Sequence, residues 1–322
     1  MAEKIILDVD TGSDDAVAIM TAVLSPDIDL TAVCTVAGNK SIENTTENTL
    51  RVLDAMHSNI PVYRGCASPI IKGLVNNRLP PSHRKEIMID GKVIQMHDDL
   101  LDLPVASRKH EETPAAVYYV ETLRKAKQPI TLVAVGPLTN LAVAFLIDPL
   151  IVKNIKKIVI MGGGYKVTNS SPSAEFNVFY DPEAAEIVQK SGAKILWVPL
   201  DATHAAYLTK EDCKRFRSLN TFAGDFAAKL IEQRIVIHNA LQPLAVPDAA
   251  AVHDALAVCA VIDESVLQDV RHVHCDIGLG DYAEGQTIID PRYYPEERNC
   301  YFAFNADPVK FCNMLYEIFS KK

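Results

Sequence analysis

The residues most able to do chemistry lie near the start of the chain, where four aspartates occur within eight residues: Asp8, Asp10, Asp14 and Asp15. Converging carboxylates repel one another at neutral pH, and a helix N-terminus offsets only about 0.3–1 kcal/mol per charge. A bound divalent cation is the stronger remedy, and an all-oxygen ligand set favours Ca²⁺ or Mg²⁺ over zinc. The run therefore predicts a metal site, with helix capping by Ser13 or Asp14 as the alternative.

The elements that must position this run follow an alternating pattern of short apolar segments and helical periodicity. Strands are predicted at 5–9, 30–36, 130–135 and 158–161, and helices at 14–24, 43–56, 113–125, 138–146 and 182–191. This alternation predicts an α/β fold with a mostly parallel central sheet flanked by helices. Functional residues of such sheets gather beyond the carboxyl ends of the strands. Between residues 65 and 113 the pattern weakens, which predicts an irregular excursion near the mouth of the site.

The composition is that of a globular protein, with 48% hydrophobic and 23% charged residues and a net charge of −9 over 322 residues. We interpret the chain, 1–322, as a single domain. A nucleic-acid partner is not expected because no basic stripe occurs, and a membrane is not expected because no apolar run is long enough. The seven cysteines, without a Cys-x-x-Cys pair, are interpreted as reduced thiols of a cytoplasmic protein.

The acidic run by itself leaves two other functions open. The opening Asp8-Val9-Asp10-Thr11 partly fits the motif of haloacid-dehalogenase-type phosphatases, which use Mg²⁺ and a nucleophilic aspartate. In that motif the threonine falls one residue later, and the continuation Gly12 to Asp15 has no role in that chemistry. The second alternative is a non-catalytic protein that binds calcium or ribose.

Five separated segments of this chain resemble the inosine–uridine preferring nucleoside hydrolase family. They are Asp8 to Ala16 (DVDTGSDDA), Val36 to Asn39 (VAGN), Met161 to Gly164 with Asn169 and Ala174 to Asn177 (AEFN), Asp181 to Ala185 (DPEAA), and Ala251 to Asp254 (AVHD). Their joint occurrence in this order is far more specific than the first segment alone. The likeness extends over nearly the whole chain, and it implies a ribonucleoside substrate and a dimer or tetramer.

The resemblance implies a Ca²⁺ site and a ribose site made from these segments. Asp10, Asp15, Asp254 and the main-chain carbonyl of Val135 would hold the cation, since hard oxygen ligands suit a hard cation. The implied ribose ligands are Asp14 and Asn39 for the 2′- and 3′-hydroxyls, Asn169, Glu175 and Asn177 for the other edge of the sugar, and Met161 beneath the ring.

The implied reaction breaks an N-glycosidic bond through a transition state like an oxocarbenium ion. A metal-bound water would attack the sugar, with Asp10 as its general base. His253, which directly precedes Asp254, is our candidate for the acid that protonates the departing base. The products would be ribose and the free base.

Three further histidines and the single tryptophan complete the set of candidates. His97 is expected to reach the 5′ side of the ribose, although Asp98 follows it where the family has glycine. His238 is a candidate for the base pocket, and His204 is interpreted as structural. Trp197 lies within an apolar strand and is expected in the core, so a tryptophan sandwich around a purine is not available. The sequence therefore favours a broad or pyrimidine-accepting enzyme, without choosing between inosine and uridine.

Overall fold

The computed structural model describes residues 2–75, 78, 87–89, 91–290, 292, 294 and 297–321. Its strands are β1 (Glu3–Val9), β2 (Ile28–Thr35), β3 (Val62–Arg64), β4 (Ile87–Ile89), β5 (Lys92–Ile94), β6 (Ile130–Ala134), β7 (Ile155–Met161), β8 (Ile195–Val198), β9 (Tyr207–Thr209), β10 (Ala249–Ala251), β11 (Leu267–Ile277), β12 (Thr287–Asp290) and β13 (Cys300–Ala306). Its α-helices are α1 (Ser13–Leu24), α2 (Ile42–Ala55), α3 (Ala115–Lys125), α4 (Thr139–Ile147), α5 (Phe176–Tyr180), α6 (Pro182–Gln189), α7 (Leu200–Ala205), α8 (Lys210–Arg217), α9 (Phe222–Leu241), α10 (His253–Ile262) and α11 (Pro308–Phe319).

Nine of the described strands form one sheet in the order β12-β11-β13-β8-β7-β6-β1-β2-β3. The strands from β3 to β13 in this order pair in parallel, and β11 and β12 add antiparallel at one edge. The mostly parallel α/β sheet predicted from the sequence is confirmed. The ends of the strands and helices named in that prediction agree with the structure to within three residues.

Two buried apolar clusters hold helices on the sheet, as the alternation of strand side chains requires. Along β1, Ile5, Leu7 and Val9 belong to one cluster, and Ile6 belongs to the other. The first cluster joins β1 to α1, α9, α10 and α11, and the second joins it to α3, α4 and α6. Trp197 is fully buried in the second cluster, so its predicted place in the core is confirmed.

The chain changes direction across the sheet between β1 and its neighbour β6. From β1 it moves outward through β2 to β3, and from β6 it moves the other way through β7 to β8. Such a switch point leaves a crevice at the carboxyl ends of the two central strands. The segment between Gly65 and Thr113 is mostly irregular where described, apart from a short 3₁₀ turn and the β4–β5 hairpin. Within the described residues, no helix combines the length and apolar character needed to cross a bilayer.

Candidate active site

A cavity of about 1110 Å³ opens at this switch point. Eleven of the residues selected from the sequence line it: Asp14, Asn39, His97, Val135, Met161, Asn169, Glu175, Asn177, His238, His253 and Asp254. Asp10 and Asp15 lie beneath its surface, with 1% and 0% of their area exposed. The structure therefore brings all the predicted site residues into one place.

The aspartate run forms the turn from β1 into α1. The carboxylate of Asp15 accepts backbone N–H bonds from Asp10 at 3.0 Å and from Gly12 at 2.9 Å. These bonds satisfy N–H groups at the start of the helix, where no earlier carbonyl is available. The predicted alternative, capping by Ser13 or Asp14, is wrong, because Asp15 bonds back to the start of α1 while Ser13 and Asp14 accept from Arg234.

Three carboxylates converge at the floor of the cavity. One oxygen each from Asp14, Asp15 and Asp254 lies within 4.8 Å of the others, and all three side chains are buried. Asp254 is in the first turn of α10, which brings it to the site from far along the chain. Burial, followed by the charges of Asp14, Asp15 and Asp10, raises the pKa of Asp254 well above its usual value.

Asp10 lies directly beside this group of three. Burial and then the charge of Asp15 raise the pKa of Asp10 well above its usual value, while a hydrogen bond of 2.6 Å from the backbone N–H of Asn39 opposes that shift. The side-chain amide of Asn39 also donates to Asp15 at 3.3 Å. A Cβ atom at Gly38 would overlap the carboxylate of Asp10. Glycine at this position therefore allows the segment after β2 to lie close to the segment after β1.

The donor set fits a hard divalent cation. Buried carboxylates that raise one another's pKa gain most from a bound positive charge, and oxygen donors are the ligands of Ca²⁺ and Mg²⁺. The carbonyl of Val135, which the sequence-based prediction included, accepts a hydrogen bond of 2.8 Å from the side chain of Asn177. A carbonyl oxygen has two lone pairs, so this bond leaves it able to face a cation as well.

Amides and a carboxylate form the edge of the cavity near α5. Glu175 accepts backbone N–H bonds from Gly163, Asn177 and Val178, and its burial raises its pKa to about 7. Asn177 also donates to the carbonyl of Met161 at 3.1 Å. Asn169 lines the same part of the cavity on the loop before α5.

Three imidazoles stand together along another wall, with ring centroids 5.7–6.1 Å apart: His204, His238 and His253. Nδ1 of His253 is 2.7 Å from the hydroxyl of Thr203. Burial, followed by the nearby charge of Arg234, holds the pKa of His253 well below its usual value. His238 and His253 line the cavity, whereas His204 is not among its lining residues.

His97 reaches the site from the segment after β5. Its Nδ1 accepts from the backbone N–H of Ser13 at 3.2 Å and lies 3.3 Å from the Ser13 hydroxyl. This places His97 beside the aspartate run. Its predicted contact with the 5′ side of the ribose stays a prediction.

Arg234 is the functional candidate that sequence reasoning missed. Its guanidinium donates to Asp14 at 3.0 Å and to the Ser13 hydroxyl at 3.0 Å, and the ion pair with Asp14 is almost fully buried. An arginine within a long amphipathic helix is ordinarily a surface residue. Its position four residues before His238 on α9 was the available signal, because residues at that spacing share a helix face.

Asp8 supports the site from behind. Its carboxylate accepts from the Tyr119 hydroxyl at 2.9 Å and from the Asn140 amide at 3.0 Å. Burial raises the pKa of Asp8 to about 7. Asn140 also donates to the carbonyl of Thr35, so this network ties α3 and α4 to the ends of β1 and β2.

The fold and the site together define an α/β enzyme with a carboxylate-rich, candidate metal-binding cavity at its switch point. The family model for inosine–uridine preferring nucleoside hydrolases matches residues 5–313, and the chain belongs to that family. The family predicted from the sequence is thereby confirmed.

Individual relatives agree with this assignment. An inosine–uridine preferring nucleoside hydrolase of Leishmania major is 38% identical over 93% of this chain and 91% of its own length. A pyrimidine-specific ribonucleoside hydrolase of Escherichia coli is 36% identical over 89% of this chain and 87% of its own. The solved structure of a purine-preferring ribonucleoside hydrolase from Gardnerella vaginalis superposes with a TM-score of 0.84 and 28% identity, covering 99% of this chain and 98% of that one.

Proposed function

We propose that this protein is a Ca²⁺-dependent hydrolase that cleaves the N-glycosidic bond of ribonucleosides, such as inosine or uridine, to ribose and free base. The observation that carries the proposal is the convergence of Asp14, Asp15 and Asp254 at the floor of a cavity whose far edge is formed by Asn169, Glu175 and Asn177. One edge suits a cation and vicinal hydroxyls, and the other suits the remaining hydroxyl of a sugar. Family membership and the three relatives support the same substrate class.

The proposed metal ligands are Asp10, Asp15, Asp254 and the carbonyl of Val135. A cation bound there would lower the pKa of a coordinated water and fix the sugar's hydroxyls. Six to eight oxygen ligands at flexible angles are typical of Ca²⁺, whereas Mg²⁺ demands a stricter octahedron. A set of four ligands drawn from three separate chain segments suits the more tolerant ion.

The remaining residues act on the sugar and on the attacking water. Asp10 accepts a proton from the water as that water bonds to the anomeric carbon, and the buried carboxylates around the ribose stabilise the positive charge that develops on the ring. Asp14 and Asn39 bind the 2′- and 3′-hydroxyls, and Asn169, Glu175 and Asn177 bind the opposite edge. Met161 packs beneath the ring. The role of His253 as general acid stays a prediction. Burial and the charge of Arg234 hold the pKa of His253 well below its usual value, which disfavours the protonated form that this role needs.

The phosphatase alternative is disfavoured by the surroundings of Asp8. A nucleophilic aspartate must meet its substrate, yet Asp8 is 1% exposed and its carboxylate is engaged by Tyr119 and Asn140. The non-catalytic alternative differs from the proposal only in turnover.

A single assay separates these functions. The purified protein is incubated with Ca²⁺ or with Mg²⁺ and, separately, inosine, uridine, cytidine, adenosine and 4-nitrophenyl phosphate. Released reducing sugar and phosphate are measured, and nucleoside binding is measured by isothermal titration calorimetry. Sugar release from a nucleoside without phosphate release supports the proposal. Phosphate release supports the phosphatase, and binding of a nucleoside without sugar release supports the binding protein; either result contradicts the proposal.

A further inference from the structure

Arg234 occupies a position from which it can contact the base of a bound nucleoside. It lies on α9, is 4% exposed, and shares the face of that helix that lines the cavity with Ile237, His238 and Leu241. These residues follow one another at helical spacing, so their side chains form one stripe. Its Asp14 partner is a proposed ribose ligand, which sets the guanidinium near the end of the sugar where the glycosidic bond begins.

The hydrogen bonds of the guanidinium leave one nitrogen for a ligand. Nε donates to the carbonyl of Ala251 at 2.9 Å, and Nη1 donates to Ser13 and Asp14, each at 3.0 Å. A guanidinium has five N–H groups, of which Nη2 carries two. Within the described part of the chain, Nη2 has no hydrogen-bond partner. The three engaged N–H groups fix the plane of the guanidinium, so little freedom remains to be lost when Nη2 binds.

Arg234 is also the fixed positive charge on this wall of the cavity. Burial and then the charge of Arg234 lower the pKa of His238 to about 4, so its imidazole is neutral at physiological pH. Lys40, which lines the cavity elsewhere, is paired with Asp99 at 2.7 Å. A group that gains negative charge beside α9 therefore meets a guanidinium and a neutral imidazole.

We propose that Arg234 stabilises the departing base as it becomes an anion, and that this interaction selects bases with a carbonyl next to the glycosidic nitrogen. The inference rests on the proposed nucleoside hydrolysis. When the bond between C1′ and the base nitrogen breaks, both electrons go to the base. The oxygen of water bonds to C1′ and one water proton goes to Asp10. The base anion then takes up a proton from solvent and leaves as the neutral base, while Asp10 returns its proton to solvent, so the products are ribose and the free base.

The structure of the base decides how much Arg234 can help. In uridine and cytidine the C2 carbonyl adjoins the glycosidic N1, so the charge spreads onto an oxygen that a guanidinium can bind. In purine nucleosides the glycosidic N9 is flanked by C8–H and C4, and neither is a carbonyl. Charge-assisted hydrogen bonds that strengthen in the transition state raise kcat rather than ground-state binding alone. Arg234 therefore favours pyrimidine over purine ribonucleosides.

The test compares leaving groups in Arg234→Met, Arg234→Gln and Arg234→Lys. For uridine, Arg234→Met and Arg234→Gln should each lower kcat by about 10²–10³, the usual cost of losing one transition-state donor. For 4-nitrophenyl β-ribofuranoside, whose phenolate leaves without help, kcat should stay within about threefold of wild type because the sugar contacts are retained. Arg234→Lys keeps the charge and should retain more uridine activity than the neutral variants. The same variants should show a smaller loss with inosine than with uridine.

A matched control lies on the same helix. Lys229 is exposed and pairs with Asp102 outside the cavity, so Lys229→Met should leave both substrates unaffected. Circular dichroism and thermal melting establish that each variant is folded. Equal losses with uridine and 4-nitrophenyl riboside, in whichever neutral variant folds, overturn the inference and make Arg234 a positioning residue for Asp14. Failure of the wild-type enzyme to cleave any nucleoside contradicts the proposed function itself.

Discussion

At the scale of single residues, the aspartates of the site differ in their hydrogen-bond and ion-pair partners. Asp14 is paired with Arg234, Asp15 accepts the N–H groups that begin α1, and Asp8 is held by Tyr119 and Asn140. Asp10 has the backbone of Asn39 as its donor and no cationic partner within the described residues. It is therefore the carboxylate of the run most dependent on a bound cation, and the one best suited to accept a proton from water.

Asp10→Asn tests that role with almost no change of shape. The amide cannot accept a proton, so kcat for the best nucleoside substrate should fall by at least about 10²–10⁴, the range for general-base catalysis. Ca²⁺ affinity, measured by isothermal titration calorimetry, should fall as well. Asp29→Asn, an exposed position on β2, provides the matched control. An Asp10→Asn enzyme with near-normal kcat would refute the assignment of the base.

Residue types near the strand ends could be predicted from the sequence, but their partners could not. Asp14 was predicted as a ribose ligand because it stands in a recognisable run. Its ion pair joins it to Arg234, 220 positions later, for which the sequence offers only the shared helix face with His238 as a signal. Such a pairing depends on how α9 packs against α1, which composition and periodicity do not specify. The same holds for the contact of His97 with Ser13.

At the scale of elements, the parallel sheet places the site and the loops between elements complete it. The parallel pairing of the strands follows from βαβ connections and was predicted from the alternating pattern. The strand order and the paths of the connecting segments could not be predicted in that way. Asp181 illustrates this: it caps α6 through Ala184, and it also accepts from Ile70 and from the hydroxyl of Thr139.

Asp181→Ala should therefore destabilise the protein more than loss of a cap alone. Removing an N-cap costs about 1 kcal/mol, and orphaning the two other donors should bring the loss in free energy of unfolding to about 2–4 kcal/mol. Asp307 is the matched control, because it also precedes a proline and caps α11 through Val309 and Lys310 only. Urea unfolding of both alanine variants measures the difference. Equal losses would show that the bonds to Ile70 and Thr139 contribute nothing.

At the scale of the whole molecule, burying several aspartates next to one another at the active site lowers the free energy of unfolding. Acidic residues outnumber basic ones by 41 to 32. Repulsion between acidic side chains that are exposed to solvent is weakened by salt. The aspartates at the switch point are instead buried and adjacent, where repulsion is screened least. A cation that binds the folded chain and not the unfolded chain raises the free energy of unfolding again.

Ca²⁺ should therefore raise the melting temperature, and the effect should depend on Asp254. At about 100 times its dissociation constant a ligand stabilises by about 2.7 kcal/mol, which corresponds to about 5 °C for a chain of this size. Asp254→Asn should abolish the Ca²⁺-dependent rise. With chelator present its melting temperature should be no lower than that of wild type, since one of the mutually repelling carboxylates is gone.

Thermal melting with excess chelator, with Ca²⁺ and with Mg²⁺ measures all three effects, and Asp29→Asn should respond to Ca²⁺ like wild type. A melting temperature of wild type that chelator and Ca²⁺ leave unchanged would contradict the metal site. A rise with Mg²⁺ as large as that with Ca²⁺ would contradict the choice of calcium alone. If Ca²⁺ still stabilises the Asp254→Asn protein, Asp254 is not a ligand of the cation. A cation bound elsewhere would not need the carboxylate that α10 places at the floor of the cavity.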